Sequence, residues 1–255
     1  MGIKAAKNDL LLFTDADCMP EDKMWVSRMT RNFTQGTDFV LGNGAYLNKK
    51  VFLNRLITFD TLFIGLQYLG MAVSGKPYMG VGRNLAYRKE TFFAHKGFAS
   101  TLSLISGDDD LFVNQSGNSM NTKVEISPDS ITWSEPNTTF SGWFYQKERH
   151  LSVSSYYKFS SKYRISLEPL SRGLFYAALI LSFTVGQLIT LVATATLLLI
   201  RLIIQLIIIN KSAKHFGERK YLFLLPVFDI FLPLVNLYIL TIGRITSKGK
   251  SVRWK

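Results

Sequence analysis

One apolar segment constrains the fold of this chain more than any other feature. Residues 173–210 contain a single charged residue, Arg201. Since a helix needs about 20 apolar residues to cross a bilayer, this segment is long enough for two tight spans that turn within residues 186–196. It also suits one span followed by a helix at the membrane surface. Either arrangement predicts a protein attached to a membrane rather than a soluble one.

A second apolar stretch, residues 221–243, is interrupted by two prolines, an aspartate and an asparagine, which suggests a re-entrant segment. The loop before it, residues 211–220, and the tail after it, residues 244–255, are both basic. Lysine and arginine favour the cytoplasmic side of a membrane. We therefore expect a multi-pass membrane region at residues 173–243. The polar N-terminal domain and the tail would both be cytoplasmic, as in a bacterial inner-membrane protein.

The net charge of +12 belongs mostly to this C-terminal region. Residues 169–255 carry 11 lysines and arginines against 2 acidic residues, whereas residues 1–168 are nearly balanced. A domain that binds nucleic acid would carry its positive charge on a polar globular surface, but here the charge flanks apolar stretches. We expect a membrane as partner and no nucleic acid. The single cysteine, Cys18, excludes an internal disulfide framework.

The polar part of the chain alternates between short strands and helices. The apolar periodicity predicts strands at residues 9–14, 38–47, 84–88 and 122–128, and helices at 22–33, 51–74 and 89–97. This order predicts a layered α/β domain over residues 1–151. A linker at residues 152–172, rich in tyrosine and lysine, would run along the membrane interface before the apolar region begins.

Two aspartates follow the first predicted strand. Side chains two residues apart in a strand share a face, so Asp15 and Asp17 are expected to point together into the crevice at the strand's end. Two adjacent carboxylates repel each other unless a cation compensates them, and Mg²⁺ or Mn²⁺ would fit. The alternative is a pair of turn acids, with Asp17 capping the next helix. The spacing alone does not decide between the two.

Two further motifs carry candidate chemistry. Asp108, Asp109 and Asp110 precede an apolar helical stretch, as acids at a helix N-terminus commonly do. One of them could instead be a general base whose neighbours raise its pKa. Gln146 and Arg149 lie three residues apart, on one face of a helix, and Arg149 could bind a phosphate. The alternative is an ordinary amphipathic surface helix.

The order of these motifs along the chain is more specific than any one of them. "DADC" with Pro20 two positions later is followed by "GVGRNLAYRKETFF", "GDDDL", "QKERH" and apolar helices. This order resembles the family 2 glycosyltransferases, and most of all the bacterial membrane-bound members with a C-terminal membrane region. The resemblance implies a GT-A domain, which is an α/β fold that binds a nucleotide-sugar.

The resemblance also implies roles for single residues. Asp17 would be the metal ligand, with Asp15 nearer the nucleotide, and Asp109 would be the catalytic base, with Asp108 as the rival. The residues implied at the donor diphosphate and the acceptor are Gln146, Arg149, His150, Asp110, Gly82 and Asn84. His150 stands where the family often has tryptophan.

The implied reaction inverts the anomeric centre, depends on Mg²⁺ or Mn²⁺, and transfers a sugar from a nucleotide-sugar, most often a UDP-sugar, to a glycan or lipid-linked acceptor. Family members have further strands before the Asp-x-Asp motif, so we expect a partial GT-A domain that lacks its N-terminal part. One alternative is a non-catalytic membrane component, or an inactive fragment, whose nucleotide pocket is completed by a partner chain. Another is an aspartyl phosphatase, although Met19 and Pro20 do not fit that motif.

Overall fold

The computed structural model of the chain describes residues 2–99, 101, 104 and 106–247. Its helices are α1 Gly2–Ala5, α2 Trp25–Thr30, α3 Phe52–Val73, α4 Lys89–Ala94, α5 Asp108–Ser116, α6 Phe140–Val153, α7 Phe159–Val185, α8 Leu188–His215 and α9 Leu225–Ser247. Its strands are β1 Leu10–Phe13, β2 Cys18–Pro20, β3 Phe39–Gly42, β4 Gly44–Tyr46, β5 Leu85–Arg88, β6 Thr122–Glu125 and β7 Thr132–Ser134. The prediction of a mixed α/β domain followed by long apolar helices is confirmed.

The strands form two sheets. The larger has the order β1-β5-β3-β6, in which β5 runs antiparallel to both β1 and β3, and β6 runs parallel to β3. The smaller has the order β2-β7-β4, in which β7 is antiparallel to β2 and parallel to β4. The strands β1 and β2 belong to different sheets, so the short connection between them passes from one sheet to the other. That connection carries Asp15 and Asp17.

The single strand predicted at residues 38–47 is divided between the two sheets as β3 and β4. The division falls at Asn43, whose carbonyl accepts a hydrogen bond from the Asn84 side chain at 2.9 Å. A Cβ atom at Gly42 would lie 2.5 Å from the Asn84 side chain, so only glycine permits this approach. A contact between segments about forty residues apart therefore redirects a strand whose own sequence reads as continuous.

The core lies between the larger sheet and α3. Leu56 and Leu62 of α3 are fully buried, and the Tyr68 hydroxyl donates to the Gly42 carbonyl at 2.6 Å. Phe112 of α5 joins this core and packs edge-on against Phe39 of β3. The opposite face of the sheet is covered by Met29 of α2. The length predicted for α3, residues 51–74, is confirmed, because apolar side chains cover most of its surface and the protein surrounds it.

Several elements differ in length from the predicted segments. The helix predicted at residues 22–33 covers only α2, Trp25–Thr30. The linker predicted at residues 152–172 is helical from Phe159 onward, since α7 continues without a break into the apolar region. The basic loop predicted at residues 211–220 is helical as far as His215. The basic tail predicted at residues 244–255 lies outside the described residues from residue 248 onward.

The helices α7 and α8 form a hairpin that turns at Gly186, where φ is +68°. This turn lies inside the predicted range, and glycine suits it because other residues rarely adopt this left-handed conformation. Helix α9 packs along α6, with Tyr238 edge-on to Phe144.

Two described helices, α3 and α8, are long and apolar enough to cross a membrane. They differ in burial: 56% of the apolar window of α3 is buried inside the protein, compared with 6% for α8. Length and composition also suit the core helix of a soluble protein, and α3 is such a helix. Soluble monomeric proteins rarely expose an apolar surface as continuous as that of α8.

Candidate functional site

Asp15 and Asp17 lie in the turn between β1 and β2. The turn is closed by a hydrogen bond from the Cys18 amide to the Asp15 carbonyl at 3.0 Å. Ligand atoms of Asp15, Asp17 and Cys18 all lie within 4.8 Å of one another. We predicted from the sequence that the two aspartates would share one face of a strand, but β1 ends at Phe13. The tight turn beyond the strand is what brings the two carboxylates together.

These side chains fit a hard divalent cation. Partial burial raises the pKa of Asp15, the charges of Asp17 and Asp108 add to this rise, and Arg83 and Arg149 oppose it. A cation between the carboxylates would relieve the repulsion, and carboxylate oxygens are the ligands that Mg²⁺ and Mn²⁺ prefer.

Cys18 does not extend this ligand set. Burial raises the pKa of the Cys18 thiol, with smaller rises from Asp17 and Asp15, and Arg83 opposes them. The thiol is therefore protonated at neutral pH, and a protonated thiol is a poor ligand for a hard metal. The residues that would hold the cation are the two aspartates.

The three acids at the start of α5 point in three directions, because successive side chains on a helix are about 100° apart. Asp108 is exposed, whereas Asp110 is buried and accepts a hydrogen bond from the Tyr157 hydroxyl at 3.2 Å. Asp109 lies between them and accepts hydrogen bonds from the Gly82 amide and, at 2.9 Å, from the Asp110 amide. Burial and the neighbouring charge of Asp108 raise the pKa of Asp109 to about 6.

Gly107 sets the start of α5. Its φ is +92°, and a Cβ atom there would lie 2.4 Å from the Val153 side chain of α6. Any larger residue would be strained in conformation and would push the two helices apart. Glycine at this position therefore keeps the acids of α5 beside α6.

Gly82 is the point where the two acid groups meet. A Cβ atom at Gly82 would lie 3.0 Å from Asp109 Oδ2 and 3.6 Å from Asp15 Oδ1. The carboxylate that is the base candidate and one of the metal-site carboxylates therefore face each other across a glycine. A side chain at this position would separate them.

Helix α6 forms one wall of a cavity of about 220 Å³ whose opposite wall is α3. The cavity is lined by Asp110, Gln146, Lys147, His150 and mostly apolar side chains. Gln146 donates to the Tyr46 hydroxyl at 2.8 Å and accepts from the Asn137 side chain at 2.7 Å.

Two basic residues of α6 lie at this site. Arg149 is exposed, and its charge lowers the pKa of Asp15, which it faces. Burial within surrounding protein lowers the pKa of His150 to about 4, with contributions from Arg149, Arg83 and Lys147, although part of the ring remains exposed. With its pKa lowered in this way, the imidazole is neutral at pH 7.

The structure thus brings nine of the ten predicted site residues to one region. Asp15, Asp17, Asp108, Asp109, Gly82 and Arg149 surround the acid cluster, while Asp110, Gln146 and His150 line the cavity beside it. Asn84 is different. It is fully buried, its Oδ1 accepts from the Trp25 indole at 3.0 Å, and its Nδ2 donates to the carbonyls of Asn43 and Ser130. Asn84 braces the two sheets and has no free group for a ligand.

Sequence reasoning did not identify Arg83, although the motif "GVGRNLAYR" contains it. Its guanidinium lies 4.4 Å from the centre of the Tyr46 ring and donates to Ser134 Oγ at 3.3 Å. A basic residue next to Gly82, in a stretch expected to face the acids, is the signal that could have identified it.

Sequence reasoning also did not identify a buried ion pair in the cavity wall. Lys147 Nζ donates to both carboxylate oxygens of Asp60, at 2.8 and 2.7 Å. The partners are 87 residues apart, so no local pattern in the sequence indicates the pair.

Comparisons with known proteins identify the family. The model of glycosyl transferase family 21 matches residues 1–255. No curated protein matches the chain. A solved structure, the mannosyltransferase PcManGT from Pyrobaculum calidifontis in complex with GDP-Man and Mn²⁺, aligns with a TM-score of 0.46 and 13% identity. That alignment covers 90% of this chain and 64% of the mannosyltransferase, a likeness too distant to carry an argument about this site.

The predicted enzyme class, a glycosyltransferase, is confirmed by the family match, whereas the predicted membership of family 2 and the bacterial type are not confirmed. The chain belongs to glycosyl transferase family 21.

Proposed function

We propose that the chain is an inverting, metal-dependent glycosyltransferase. It moves a sugar from a nucleotide-sugar donor, most often a UDP-sugar, to a membrane-associated or glycan acceptor. Residues 1–151 would form the catalytic domain with a GT-A fold, residues 152–172 an interfacial connection and residues 173–243 the membrane region. The choice of UDP rests on the resemblance to membrane-bound transferases alone. The described residues include no contact that selects a nucleotide base.

The observation that carries this proposal is the meeting of Asp15 and Asp109 at Gly82. One carboxylate belongs to the pair that suits a divalent cation, and the other is buried with a pKa of about 6. A transferase needs its leaving diphosphate and its general base on opposite sides of one anomeric carbon. A gap kept open by a glycine, between these two carboxylates, is suited to that carbon.

The roles follow from charge and position. In the proposed reaction the acceptor hydroxyl attacks the anomeric carbon as the bond to the diphosphate breaks, and Asp109 takes the hydroxyl proton. A cation bound by Asp15 and Asp17 would neutralise the leaving diphosphate. Arg149, which is exposed above the acid cluster, would bind the same phosphates. Gln146 and neutral His150 would contact the acceptor from the cavity wall.

The cavity and the apolar helices support a membrane-associated acceptor. The cavity is lined by Asp110, which is next to Asp109 in the chain, and its walls are largely apolar. An acceptor with an apolar portion could place it there and present a hydroxyl to Asp109. The catalytic domain would be cytoplasmic, because basic residues cluster at 211–220, close to where α8 rejoins it.

The alternative proposal is a membrane component that binds a donor without turning it over until a partner chain completes the nucleotide pocket. The observation that supports it is the edge of the larger sheet: among the described residues, β1 pairs only with β5.

The test is a transfer assay on the purified chain in lipid vesicles. Labelled UDP-hexoses are supplied with Mn²⁺, and both label in extracted lipid and released UDP are measured, with EDTA and the Asp109→Asn variant as matched controls. We expect metal-dependent release that the variant lacks, and a product whose anomeric configuration is inverted by NMR. Binding of UDP with no release in any condition would favour the non-catalytic alternative.

A further inference from the structure

The hairpin of α7 and α8 leaves the catalytic domain and returns to the same side of it. Helix α7 follows α6 after a short 3₁₀ turn. After α8, the ring of His215 contacts the Ile126 carbonyl at 2.8 Å, and Arg55 donates to the Lys220 carbonyl. Both ends of the hairpin are therefore fixed to one domain, and the turn at Gly186 is its far end. Either both arms cross a bilayer or neither does.

A layer of charged residues marks where the apolar part of the hairpin begins. Asp229 of α9 accepts hydrogen bonds from Arg201 of α8 at 2.6 Å and from Tyr176 of α7 at 2.6 Å. Arg172 of α7 lies 3.2 Å from the same carboxylate and also pairs with Glu168. Charges are costly in hydrocarbon, so this layer belongs at or near the head groups.

The arms beyond this layer are short. Residues 173–185 of α7 and 188–200 of α8 separate it from the turn, and thirteen residues at 1.5 Å each give about 20 Å. The hydrocarbon core of a bilayer is about 30 Å thick. Of the two arms, only α8 is long and apolar enough to span a membrane, and the part of it that is long enough includes Arg201 and residues after it. Its partner arm α7 carries Glu168 and Arg172 at the corresponding depth.

The turn also lacks the residues that mark a second interface. Residues 177–200 contain no lysine, arginine, aspartate, glutamate, tryptophan or tyrosine. Spanning segments usually have such residues where they leave the hydrocarbon. The base of the hairpin does have them. On the domain side of the charged layer, Tyr156, Phe159 and Tyr163 are more than half exposed and Lys162 is exposed beside them, so this part of α7 suits the water-facing side of the head groups.

Helix α9 adds an apolar face at the same level. Phe228 and Leu232 are buried against the protein, whereas Leu234 and Leu237 are about 60% exposed on the outer face. Because the protein covers its inner face and the charged layer at Asp229 lies near its start, α9 suits a position along the membrane surface with its apolar outer face toward the lipid.

We propose that the chain enters a bilayer from one side only: α9 lies in the interface, and the α7–α8 hairpin ends inside the hydrocarbon without reaching the opposite surface. The partner is a lipid bilayer with anionic head groups, which match the lysines and arginines at the base of the hairpin. This inference rests on the membrane attachment in the proposed function and replaces the multi-pass arrangement predicted from the sequence.

The test uses single-cysteine variants of the full chain in vesicles of phosphatidylcholine and phosphatidylglycerol. Cys18→Ser removes the native thiol. Gln187→Cys then places one thiol at the turn, and Ser160→Cys, in the same background, places the matched control at the exposed base. An impermeant maleimide is added outside the vesicles or trapped inside them.

We expect Ser160→Cys to react from outside and Gln187→Cys to react from neither side until detergent is added. A fluorophore attached to Gln187→Cys before reconstitution should be quenched by lipids spin-labelled deep in the acyl chain, and less by head-group labels. Reaction of Gln187→Cys from the side opposite Ser160→Cys would overturn the one-sided insertion. Failure of the unmodified chain to float with vesicles would instead overturn membrane attachment itself.

Discussion

The acid cluster around Asp109 and the charged cluster around Asp229 use the same kinds of side chain but are balanced in opposite ways. Asp229 receives donors from Arg201, Tyr176 and Gln205, and Arg172 lies against it. One carboxylate there satisfies several cationic and polar groups from two neighbouring helices.

At the catalytic domain the excess is negative. Asp15, Asp17, Asp108 and Asp109 lie together with Arg83 and Arg149 as the nearby cations. Repulsion of this kind costs stability and is tolerated where a ligand will supply the missing charge. The comparison teaches that the two clusters differ in charge balance and in burial: Asp229 is buried among its partners, whereas Asp15, Asp17 and Asp108 are exposed. The unbalanced, exposed cluster is the one that we propose binds a ligand.

The largest expected effect is on turnover. Asp109→Asn keeps the size of the side chain and one of the two oxygen acceptors that bind the Gly82 and Asp110 amides, but it cannot take a proton. We expect the rate of sugar transfer to fall by about 10³-fold, within the usual range for loss of a general base, while the affinity for UDP stays nearly unchanged. Transfer kinetics and calorimetric titration with UDP measure the two quantities. Equal losses of transfer and of UDP binding would contradict the base assignment.

A substitution in the balanced cluster around Asp229 should lower the stability of the fold. Asp229→Asn leaves Arg201 without a counter-charge and Arg172 with Glu168 alone, and breaking a buried pair costs about 3–5 kcal/mol. Thermal unfolding in detergent measures the loss. The matched control is Asp129→Asn, which breaks an exposed pair with Arg28 and should cost less than about 1 kcal/mol. If both variants lost the same stability, the Asp229 cluster would not be the brace that its contacts indicate.

A substitution in the unbalanced cluster around Asp109 should weaken metal binding. Asp17→Asn removes one charge from the pair, and we expect Mn²⁺ affinity to fall at least about tenfold, the loss seen when even an outer-shell partner is removed. Without metal, the variant should be as stable as the unmodified chain or more stable, because a repulsion is removed. Electron paramagnetic resonance of free Mn²⁺ reports the affinity, with Asp9→Asn, an exposed acid outside the cluster, as control. Unchanged affinity would move the cation away from Asp17.

Sequence patterns predicted most elements because their cause is local. Apolar periodicity located α3 and β5, and the order of motifs located the acids of α5 and the polar face of α6. The division of β3 from β4 was not predicted, because it depends on Gly42 meeting Asn84. The depth of the apolar region was also not predicted. Its limit is set by Asp229, which reaches the hairpin from a separate helix.

The candidate site shows the same division between local and distant causes. Asp15 and Asp17 were predicted to converge, but through a strand rather than the turn that joins two sheets. Arg83 and the Asp60–Lys147 pair were not identified, since their importance depends on contacts across the fold. Asn84 was identified from its motif, yet its motif does not reveal that three hydrogen bonds already occupy its amide.

Glu218 is an intermediate case between the two clusters. It is buried, the Tyr221 hydroxyl donates to it at 2.8 Å, and burial raises its pKa to about 7 from an ordinary 4.5. The folded state therefore holds a proton that the unfolded state releases, so stability falls as pH rises from about 4.5 to about 7.

Glu218→Gln removes this penalty. We expect a gain of at least about 1 kcal/mol at pH 8 and little change at pH 4.5. The shift from 4.5 to about 7 corresponds to about 3 kcal/mol, and the new amide gives part of that back because it cannot reproduce every contact of the carboxyl group. Thermal unfolding at the two pH values measures the difference. The exposed acid Glu135→Gln serves as control, and a gain of equal size at both pH values would contradict the titration of Glu218.

The smallest expected effect separates the two rival bases within the unbalanced cluster. The charge of Asp108 helps to raise the pKa of Asp109, so Asp108→Asn should lower that pKa and move the acid limb of the pH–rate profile to lower pH. At pH 7 about nine tenths of a carboxyl with a pKa of 6 is already ionised, so the rate there should rise by no more than about a tenth. At pH 5.5 the rate should rise clearly, because more Asp109 is ionised. If Asp108 were itself the base, the same substitution would abolish transfer at every pH. One pH profile thus distinguishes a neighbour that tunes the base from the base itself, and it does so through the charge imbalance that sets this cluster apart from Asp229.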